Sequence, residues 1–311
     1  MLCVKREVYL CGFRAVEISS PALAVTVVPE LGGKIVSLYD RSARREWCWR
    51  PDEKIRLFAN RLGDSFDESP LTGIDECFPT IESCRVKDRE LPCHGELWSA
   101  QWTVSAEGDI SIACRTSPFS LQRRLTLEGN RLSLHYALEN LGHEPENFVW
   151  AFHPLLRVSE RDQLQLPDEV STLTIESALG SPADEAGGTW MWPRPFPGFT
   201  LDRFELGENL QGRFKGFTGR LSEGRATLAN TFSGESLTLT WNVEANPYLG
   251  VWMTRGGYRG HHHIVALEPT NAPTDSLARV PLDHTRRILP GEKRQWEVHL
   301  QTGSASPASN S

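Results

Sequence analysis

The sequence lacks any long run of apolar residues, and helical periodicity is scarce along the chain. A membrane-spanning helix needs about 20 consecutive apolar residues, so we expect no membrane partner. The N-terminal segment MLCVKREVYLCGF also lacks the apolar stretch of a secretory signal. Together these absences predict a cytoplasmic protein.

Basic residues are not in excess either. Lys and Arg number 33 against 40 Asp and Glu, which gives a net charge of −7 and a pI of about 5.8. Proteins bind polyanions mainly through Lys and Arg, so this balance argues against a nucleic acid partner.

The cysteines lack the pattern of a disulfide scaffold. There are seven, an odd number, and no two are spaced as CxxC. An even, regularly spaced set would be typical of a small secreted protein. We therefore predict small, reduced core residues at Cys3, Cys11, Cys48, Cys77, Cys84, Cys93 and Cys114.

Alternation of apolar and polar residues is the main pattern in the sequence. It runs through RLSLHYALEN (131–140), SLTLTWNVE (236–244) and QWEVHL (295–300). A period of two is typical of strands that bury one face. With 25 Gly and 20 Pro between such runs, the chain is predicted to be all-β with antiparallel connections and very little helix, at most a short turn near 276–279.

The domain organisation follows from the absence of a linker in the middle of the chain. We predict one β-sandwich domain over residues 1–302 and a disordered tail over 303–311, where the sequence is GSASPASNS. Residues 181–200 contain several aromatic residues and are expected to form a long ordered loop.

Three polar residues stand out because each lies in apolar or aromatic sequence. His94 lies in LPCHGELWSAQW, His153 in FVWAFHPLLRV and Glu268 in HIVALEPTNAP. A carboxylate at the end of a buried strand is costly unless it is paired or used. Taken alone, each residue is equally consistent with a structural role and with a functional one. The combination of two histidines and a carboxylate favours acid–base chemistry.

The histidine run at 261–263 is the one apparent metal motif. Neighbouring strand residues point to opposite faces, so three consecutive histidines do not converge readily on one ion. We predict a solvated loop there, and no metal or other cofactor for the chemistry.

Six short motifs span most of the chain: ELGGKIVSL (30–38), GIDECFPTI (73–81), CHGELWSAQW (93–102), WAFHPLLRV (150–158), YLGVWMT (248–254) and ALEPTNAPTDSL (266–277). Together, and in this order, they resemble the aldose 1-epimerase, or galactose mutarotase-like, superfamily. The resemblance implies an antiparallel β-supersandwich with a sugar cleft on its concave face.

The resemblance also implies roles for the three polar residues. His153 matches the general acid that protonates the ring oxygen, Glu268 the general base at the anomeric hydroxyl, and His94 a second histidine near the ring oxygen. Arg61 resembles the superfamily's substrate-contacting arginine. Asp75 is a candidate for its sugar-binding aspartate, and Trp252 for a stacking wall.

The implied activity is interconversion of the α and β anomers of an aldose or an aldose phosphate, with a small-molecule sugar as partner. The longer motif that usually surrounds the acid is replaced here by HPLL, which leaves the identity of the sugar open. A non-catalytic carbohydrate-binding protein on the same fold is the alternative. A lyase or hydrolase is less favoured, because glycoside hydrolysis usually needs a second catalytic carboxylate.

Overall fold

The structure is a computed structural model that describes residues 3–50, 55–180, 188–204, 212–255, 263–280 and 286–304. Within these ranges there is no α-helix, and the single helical element is a 3₁₀ turn at Phe66–Glu68. In chain order the strands are β1 (Val4–Leu10), β2 (Phe13–Ser19), β3 (Leu23–Val28), β4 (Lys34–Asp40), β5 (Arg45–Glu46), β6 (Ile74–Cys77), β7 (Cys84–Val86), β8 (Arg89–Leu91), β9 (Thr103–Val104), β10 (Ile110–Ala113), β11 (Phe119–Glu128), β12 (Arg131–Asn140), β13 (Glu146–Phe148), β14 (Ala151–Arg157), β15 (Asp162–Gln165), β16 (Thr172–Gly180), β17 (Thr189–Met191), β18 (Gly212–Phe217), β19 (Arg225–Asn230), β20 (Glu235–Trp241), β21 (Tyr248–Arg255), β22 (His263–Thr270), β23 (Arg286–Ile288) and β24 (Lys293–Ser304).

Two large antiparallel sheets contain most of these strands. The larger has 12 strands in the order β1-β2-β3-β4-β6-β14-β22-β21-β18-β16-β17, with β5 beside β4. The smaller has 8 strands in the order β15-β19-β20-β24-β12-β11-β10-β9. Two further pairs, β13–β23 and β7–β8, form small separate sheets. The prediction of an antiparallel all-β supersandwich is confirmed.

The main hydrophobic core lies between the two large sheets. On the smaller sheet it takes the alternate apolar residues of β12, β20 and β24, as the period-two patterns predicted. On the larger sheet it takes Ile35, Phe152 and Leu267. Burial of one such side chain stabilises the fold by roughly 1.5–3 kcal/mol, so this core dominates the stability.

The larger sheet is also covered on its opposite face. There Leu155, Ile264 and Ala266 pack with Trp98 and Phe66 in a second buried cluster. Burial on both faces explains why β14 and β22 read as nearly continuous apolar runs rather than alternating ones. The predicted site residues lie on this second face.

The structure corrects three local predictions. Residues 189–191 of the predicted long loop form β17, and residues 181–187 lie outside the described residues. The last strand extends to Ser304, two residues into the predicted tail, and residues 305–311 are outside the described residues. His263 begins β22 instead of lying in a loop, whereas His261 and His262 are not among the described residues.

The prediction for the cysteines is correct only in part. All seven are free, but Cys3, Cys11 and Cys93 are exposed, and only Cys48 and Cys77 are fully buried. The turn expected near 276–279 is present, with the N–H of Arg279 bonded to the carbonyl of Ser276. Among the described residues, no helix is both long enough and apolar enough to cross a membrane.

Candidate active site

Strand register places the predicted catalytic residues on one face of the larger sheet. His153 on β14 is paired with Asp75 on the neighbouring β6. Glu268 lies on β22, the strand on the other side of β14. Alternate residues of a strand share a face, so His153 and Glu268 lie on the same face as Leu155 and Ala266, away from the main core.

His153 and Glu268 are in direct contact in a buried environment. The Nε2 atom of His153 lies 3.8 Å from Oε1 of Glu268, and the two side chains are 7% and 0% exposed. Burial, together with the nearby charges of Lys215 and Lys34, lowers the pKa of His153 to about 3. His153 is therefore neutral at pH 7. Burial raises the pKa of Glu268, while the ammonium group of Lys215 acts in the opposite direction.

His94 reaches the same place from a tight turn rather than from a strand. Its φ of 61° is in the left-handed region, which is uncommon for a residue other than glycine and is often found at functional sites. The amide of His94 donates to the carbonyl of Ile81 at 2.6 Å, which fixes the turn against the neighbouring loop. The centroid of its ring is 5.1 Å from that of His153, so the structure brings all three predicted catalytic residues together.

Phe66 of the 3₁₀ turn packs against both imidazoles. Its ring is stacked on His94 with centroids 3.8 Å apart, and it meets the edge of His153 at 5.4 Å. Burial, with His153 as the next contribution, holds the pKa of His94 well below its usual value. The sequence contains no motif signal for Phe66, and the sequence analysis missed it.

Lys215 is the most important residue that the sequence analysis missed. It lies on β18, and its Nζ donates a hydrogen bond to Oε2 of Glu268. The same ammonium lies 3.4 Å from Oδ1 of Asp275, and the two carboxylates raise the pKa of Lys215 although burial lowers it. Burial raises the pKa of Asp275 to about 6. A charged residue between the two phenylalanines of GRFKGF was the available signal, similar to the one that singled out Glu268.

Gly250 explains how Lys215 reaches across an intervening strand. Gly250 lies on β21, between β18 and β22, and is paired with Glu268. A Cβ atom at Gly250 would lie 3.3 Å from Cβ of Glu268 and 3.4 Å from Cε of Lys215. The absence of a side chain at Gly250 therefore leaves room for the lysine stem beside Glu268.

Asp75 occupies a less accessible position than the sequence suggested. It is fully buried and forms an ion pair with Lys34, whose Nζ also donates to the carbonyl of Thr72 at 3.2 Å. Burial raises the pKa of Asp75, and Lys34 opposes that effect. Its Oδ1 atom, like Oε1 of Glu268 and Nδ1 of His153, makes no hydrogen bond within the described residues. Buried polar atoms are usually satisfied, so these three mark a place where a polar ligand is expected.

A second buried ion pair supports β6 from the core side. Arg123 contacts the carboxylate of Glu76, which also accepts a hydrogen bond of 2.8 Å from Tyr136. Glu76 follows Asp75 in sequence and therefore points to the opposite face. This network fixes the strand that carries Asp75 and Cys77.

The other polar and aromatic residues of the His94 motif are structural. Glu96 accepts hydrogen bonds from three successive backbone amides at residues 115–117. Trp98 is 1% exposed, and its Nε1 donates to the carbonyl of Cys93 at 3.3 Å. These contacts hold the turn that presents His94, and they leave Trp98 in the core rather than in a sugar cleft.

The predicted substrate-binding residues Trp252 and Arg61 lie in different settings. Trp252 is partly buried, is paired with Ala266, and packs against the cluster that contains Phe66 and Trp98. Arg61 is exposed on a turn in which its amide donates to Oδ2 of Asp64 at 2.7 Å. No hydrogen bond or ion pair among the described residues joins the Arg61 side chain to the catalytic residues. Its substrate-binding role stays a prediction, as does that of Trp252.

Cys77 is the remaining reactive group on this face. It is two residues after Asp75 on β6 and is fully buried. The ligand atoms of Cys77, His94 and His153 all lie within 4.8 Å of one another. Burial raises the pKa of the Cys77 thiol well above its ordinary value, with Glu268 acting in the same direction.

Comparisons with known proteins identify the fold. No protein-family model matches the chain, and no curated protein matches it. Among solved structures, it is similar to a galactose mutarotase-like protein from Clostridium acetobutylicum (TM-score 0.67, 12% identity, covering 97% of this chain and 99% of that one).

Two further solved structures cover nearly all of this chain. One is a galactose mutarotase-like protein from Lactobacillus casei (TM-score 0.64, 17% identity, 93% of this chain and 100% of that one). The other, from Escherichia coli K12, is provisionally named an aldose 1-epimerase (TM-score 0.64, 13% identity, 97% and 99%). Identities this low establish shared architecture and no more. The sequence resemblance is thus confirmed at the level of the fold: the chain has the galactose mutarotase-like fold.

Proposed function

We propose that the protein is an aldose 1-epimerase-like enzyme that interconverts the α and β anomers of an aldose or an aldose phosphate. The observation that carries this proposal is the contact of 3.8 Å between His153 and Glu268, with His94 beside them, on this fold. Acid–base pairs of this kind are what ring opening of a hemiacetal requires.

The chemistry needs one proton removed from O1 and one supplied to O5. Both oxygens are bonded to C1, so two groups that lie close together on one sheet face can reach them simultaneously. Glu268 has one oxygen bound to Lys215, and its other oxygen, Oε1, faces His153 and is the base in this scheme. After rotation about C1–C2, the same groups act in reverse and close the ring to the other anomer.

The neutral state of His153 defines its part in this scheme. With a pKa of about 3, the imidazole carries one N–H at pH 7 rather than two. A neutral imidazole can still stabilise negative charge on an oxygen by donating that N–H. His153 thus stabilises the developing negative charge on O5 with a hydrogen bond as the C1–O5 bond breaks, and the carboxyl group of Glu268 then passes the proton taken from O1 on to O5. His94, also neutral, supports the same oxygen.

The substrate-binding roles of Arg61, Asp75 and Trp252 belong to this proposal. Trp252 lies on the same sheet face as Glu268 and offers an indole for stacking on a sugar ring. Asp75 offers an unpartnered oxygen, Oδ1, to a hydroxyl group. Arg61 lies on the chain segment before Phe66 and is the candidate for contacting a substituent at the far end of the sugar.

One observation favours the alternative, a non-catalytic sugar-binding protein. The ion pair with Lys215 stabilises the ionised carboxylate of Glu268 and weakens it as a base. A binding protein could use the same polar face without transferring a proton.

Exchange spectroscopy on the substitution Glu268→Gln separates the two functions. Saturation-transfer NMR over a panel of aldoses and their 6-phosphates reports anomer exchange directly. If Glu268 is the base, this change should lower kcat by roughly 10²- to 10⁴-fold and leave KM nearly constant. Asp275→Asn removes the other carboxylate beside Lys215 and should cost less than about 10-fold.

Two results would reject the enzyme. One is wild-type protein that binds aldoses while exchange continues at the buffer rate, which would establish the binding protein. The other is a Glu268→Gln variant with unchanged exchange, which would make this carboxylate structural.

A further inference from the structure

We propose that Cys77, His94 and His153 form a binding site for a thiophilic divalent cation, for which Zn²⁺ is the representative ion. The site overlaps the candidate catalytic pair, and a bound cation would switch it off. Binding itself does not depend on the proposed epimerase function, whereas the inhibition does.

The geometry of the three ligand atoms is the first argument. They lie within 4.8 Å of one another, although they come from two strands and a turn that are distant in sequence. Zinc–sulfur and zinc–nitrogen bonds of about 2.3 and 2.0 Å at tetrahedral angles put ligand atoms about 3.5 Å apart. Small side-chain rotations are enough to close the remaining distance. One thiolate with two imidazoles is a donor set that zinc accepts, and it leaves a fourth position open.

The outer contacts of both imidazoles prepare them as ligands. Nδ1 of His94 lies 3.1 Å from Sγ of Cys93, so Nε2 is the nitrogen left for a metal. Nε2 of His153 faces Oε1 of Glu268 at 3.8 Å, while its buried Nδ1 makes no hydrogen bond within the described residues. Histidines that bind a metal ion through one nitrogen often donate a hydrogen bond from the other to a carboxylate, and a small rotation of His153 would bring its Nε2 within that distance of Glu268.

The charges around the site also suit a divalent cation bound to a thiolate. Two ammonium groups, Lys34 and Lys215, face three carboxylates, those of Asp75, Glu268 and Asp275. The buried layer therefore has one excess negative charge when Cys77 is a thiol. Binding of Zn²⁺ with loss of the thiol proton to solvent adds one positive charge and makes the layer neutral. Neutrality matters here because uncompensated buried charge is expensive.

The consequence for function follows from the shared histidines. A metal on Nδ1 of His153 and Nε2 of His94 would fix both rings and occupy the space where O5 of a sugar is proposed to lie. Phe66 covers both imidazoles and would shield the bound ion from water. The metal is thus an inhibitor of the proposed reaction and has no part in its chemistry.

Cobalt titration of the full-length, chelator-treated protein tests the site without any sugar or turnover. Co²⁺ replaces Zn²⁺ in such sites and gives intense tetrahedral d–d bands and a thiolate-to-cobalt charge-transfer band. We expect one equivalent to bind with the charge-transfer band and to be displaced by Zn²⁺. Cys77→Ser should weaken binding at least about 100-fold and remove that band, since it deletes a ligand rather than an outer partner.

Cys48→Ser is the matched control, because Cys48 is equally buried but lies in the main core. It should retain wild-type affinity. Cys77→Ala, with its folding checked by circular dichroism, provides a second variant if the serine substitution destabilises the protein.

Four outcomes would overturn the proposal: no stoichiometric binding, cobalt binding without a thiolate band, a thiolate band that persists without Cys77, or equal loss in the Cys48 variant. A protein that binds cobalt as described yet leaves anomer exchange at the buffer rate would refute the proposed function alone.

Discussion

The ion pair between Lys215 and Glu268 gives the most direct test of how the candidate site is built. Lys215→Met keeps a flexible stem of similar length and removes the ammonium group. The substitution leaves the carboxylates of Glu268 and Asp275 buried without their common partner. Loss of one member of a buried ion pair typically destabilises a protein by about 3–5 kcal/mol. At this chain length, that corresponds to a fall in Tm of roughly 5–8 °C.

The destabilisation should depend on pH with a definite sign. Burial already raises the pKa of Asp275 to about 6 and raises that of Glu268, and Lys215 opposes both shifts. Without Lys215 both values rise further. Between the unfolded and folded pKa values, the folded variant binds more protons than the unfolded chain, so its free energy of unfolding falls as pH rises. The deficit relative to wild type should be small near about pH 4 and should grow as pH rises through the raised pKa values of the folded variant.

Denaturant unfolding at about pH 4.5 and 7.5 measures this difference. The control is Lys293→Met, which removes the lysine of an exposed ion pair with Glu139 at 3.2 Å. That change should cost less than about 1 kcal/mol at either pH. A deficit for Lys215→Met below about 1 kcal/mol, or one that does not change with pH, would refute the reasoning.

Three further predictions concern the site and its support. His153 is already neutral above its pKa of about 3, so the rate of anomer exchange should rise with pH as Glu268 ionises and then stay level. A fall in that rate centred near pH 6.5, the ordinary pKa of histidine, would contradict this. Phe66→Ala should expose His94 and raise its pKa toward the ordinary value, which an NMR titration of the ring protons can detect; an unchanged titration would mean that other groups cause the burial. Gly73→Ala should destabilise the fold by at least about 1–3 kcal/mol. Gly73 has φ of 72°, and an added Cβ would lie 2.1 Å from a backbone carbonyl oxygen of β4. Thermal unfolding close to that of the wild type would be inconsistent with this strand contact.

Some residues of the candidate site could be anticipated because their local sequence is unusual. His153 and Glu268 each come directly before a proline at the end of or within an apolar run, and that context alone marked them as unusual. The order of the short motifs then indicated the fold. His94 was identified in the same way, although nothing in the sequence showed that it has positive φ or that Phe66 stacks on it.

Other features could not be predicted because they depend on which strands become neighbours. Cys77 looked like an ordinary core cysteine. Its closeness to the two histidines arises because β6 lies beside β14 and the turn with His94 folds back over both. Asp75 was noticed, but its ion pair with Lys34 depends on β4 pairing with β6.

The sequence by itself determined the strands and their buried faces and singled out candidate residues for proton transfer, because alternation and residue chemistry are local properties. The tertiary structure decided which charges meet. Lys215 and Glu268 are 53 residues apart, and they meet because β18, β21 and β22 are adjacent, with Gly250 leaving space between them. The protonation of the site is equally non-local, since burial and neighbouring lysines, rather than the residue types, set the pKa of His153 and Glu268.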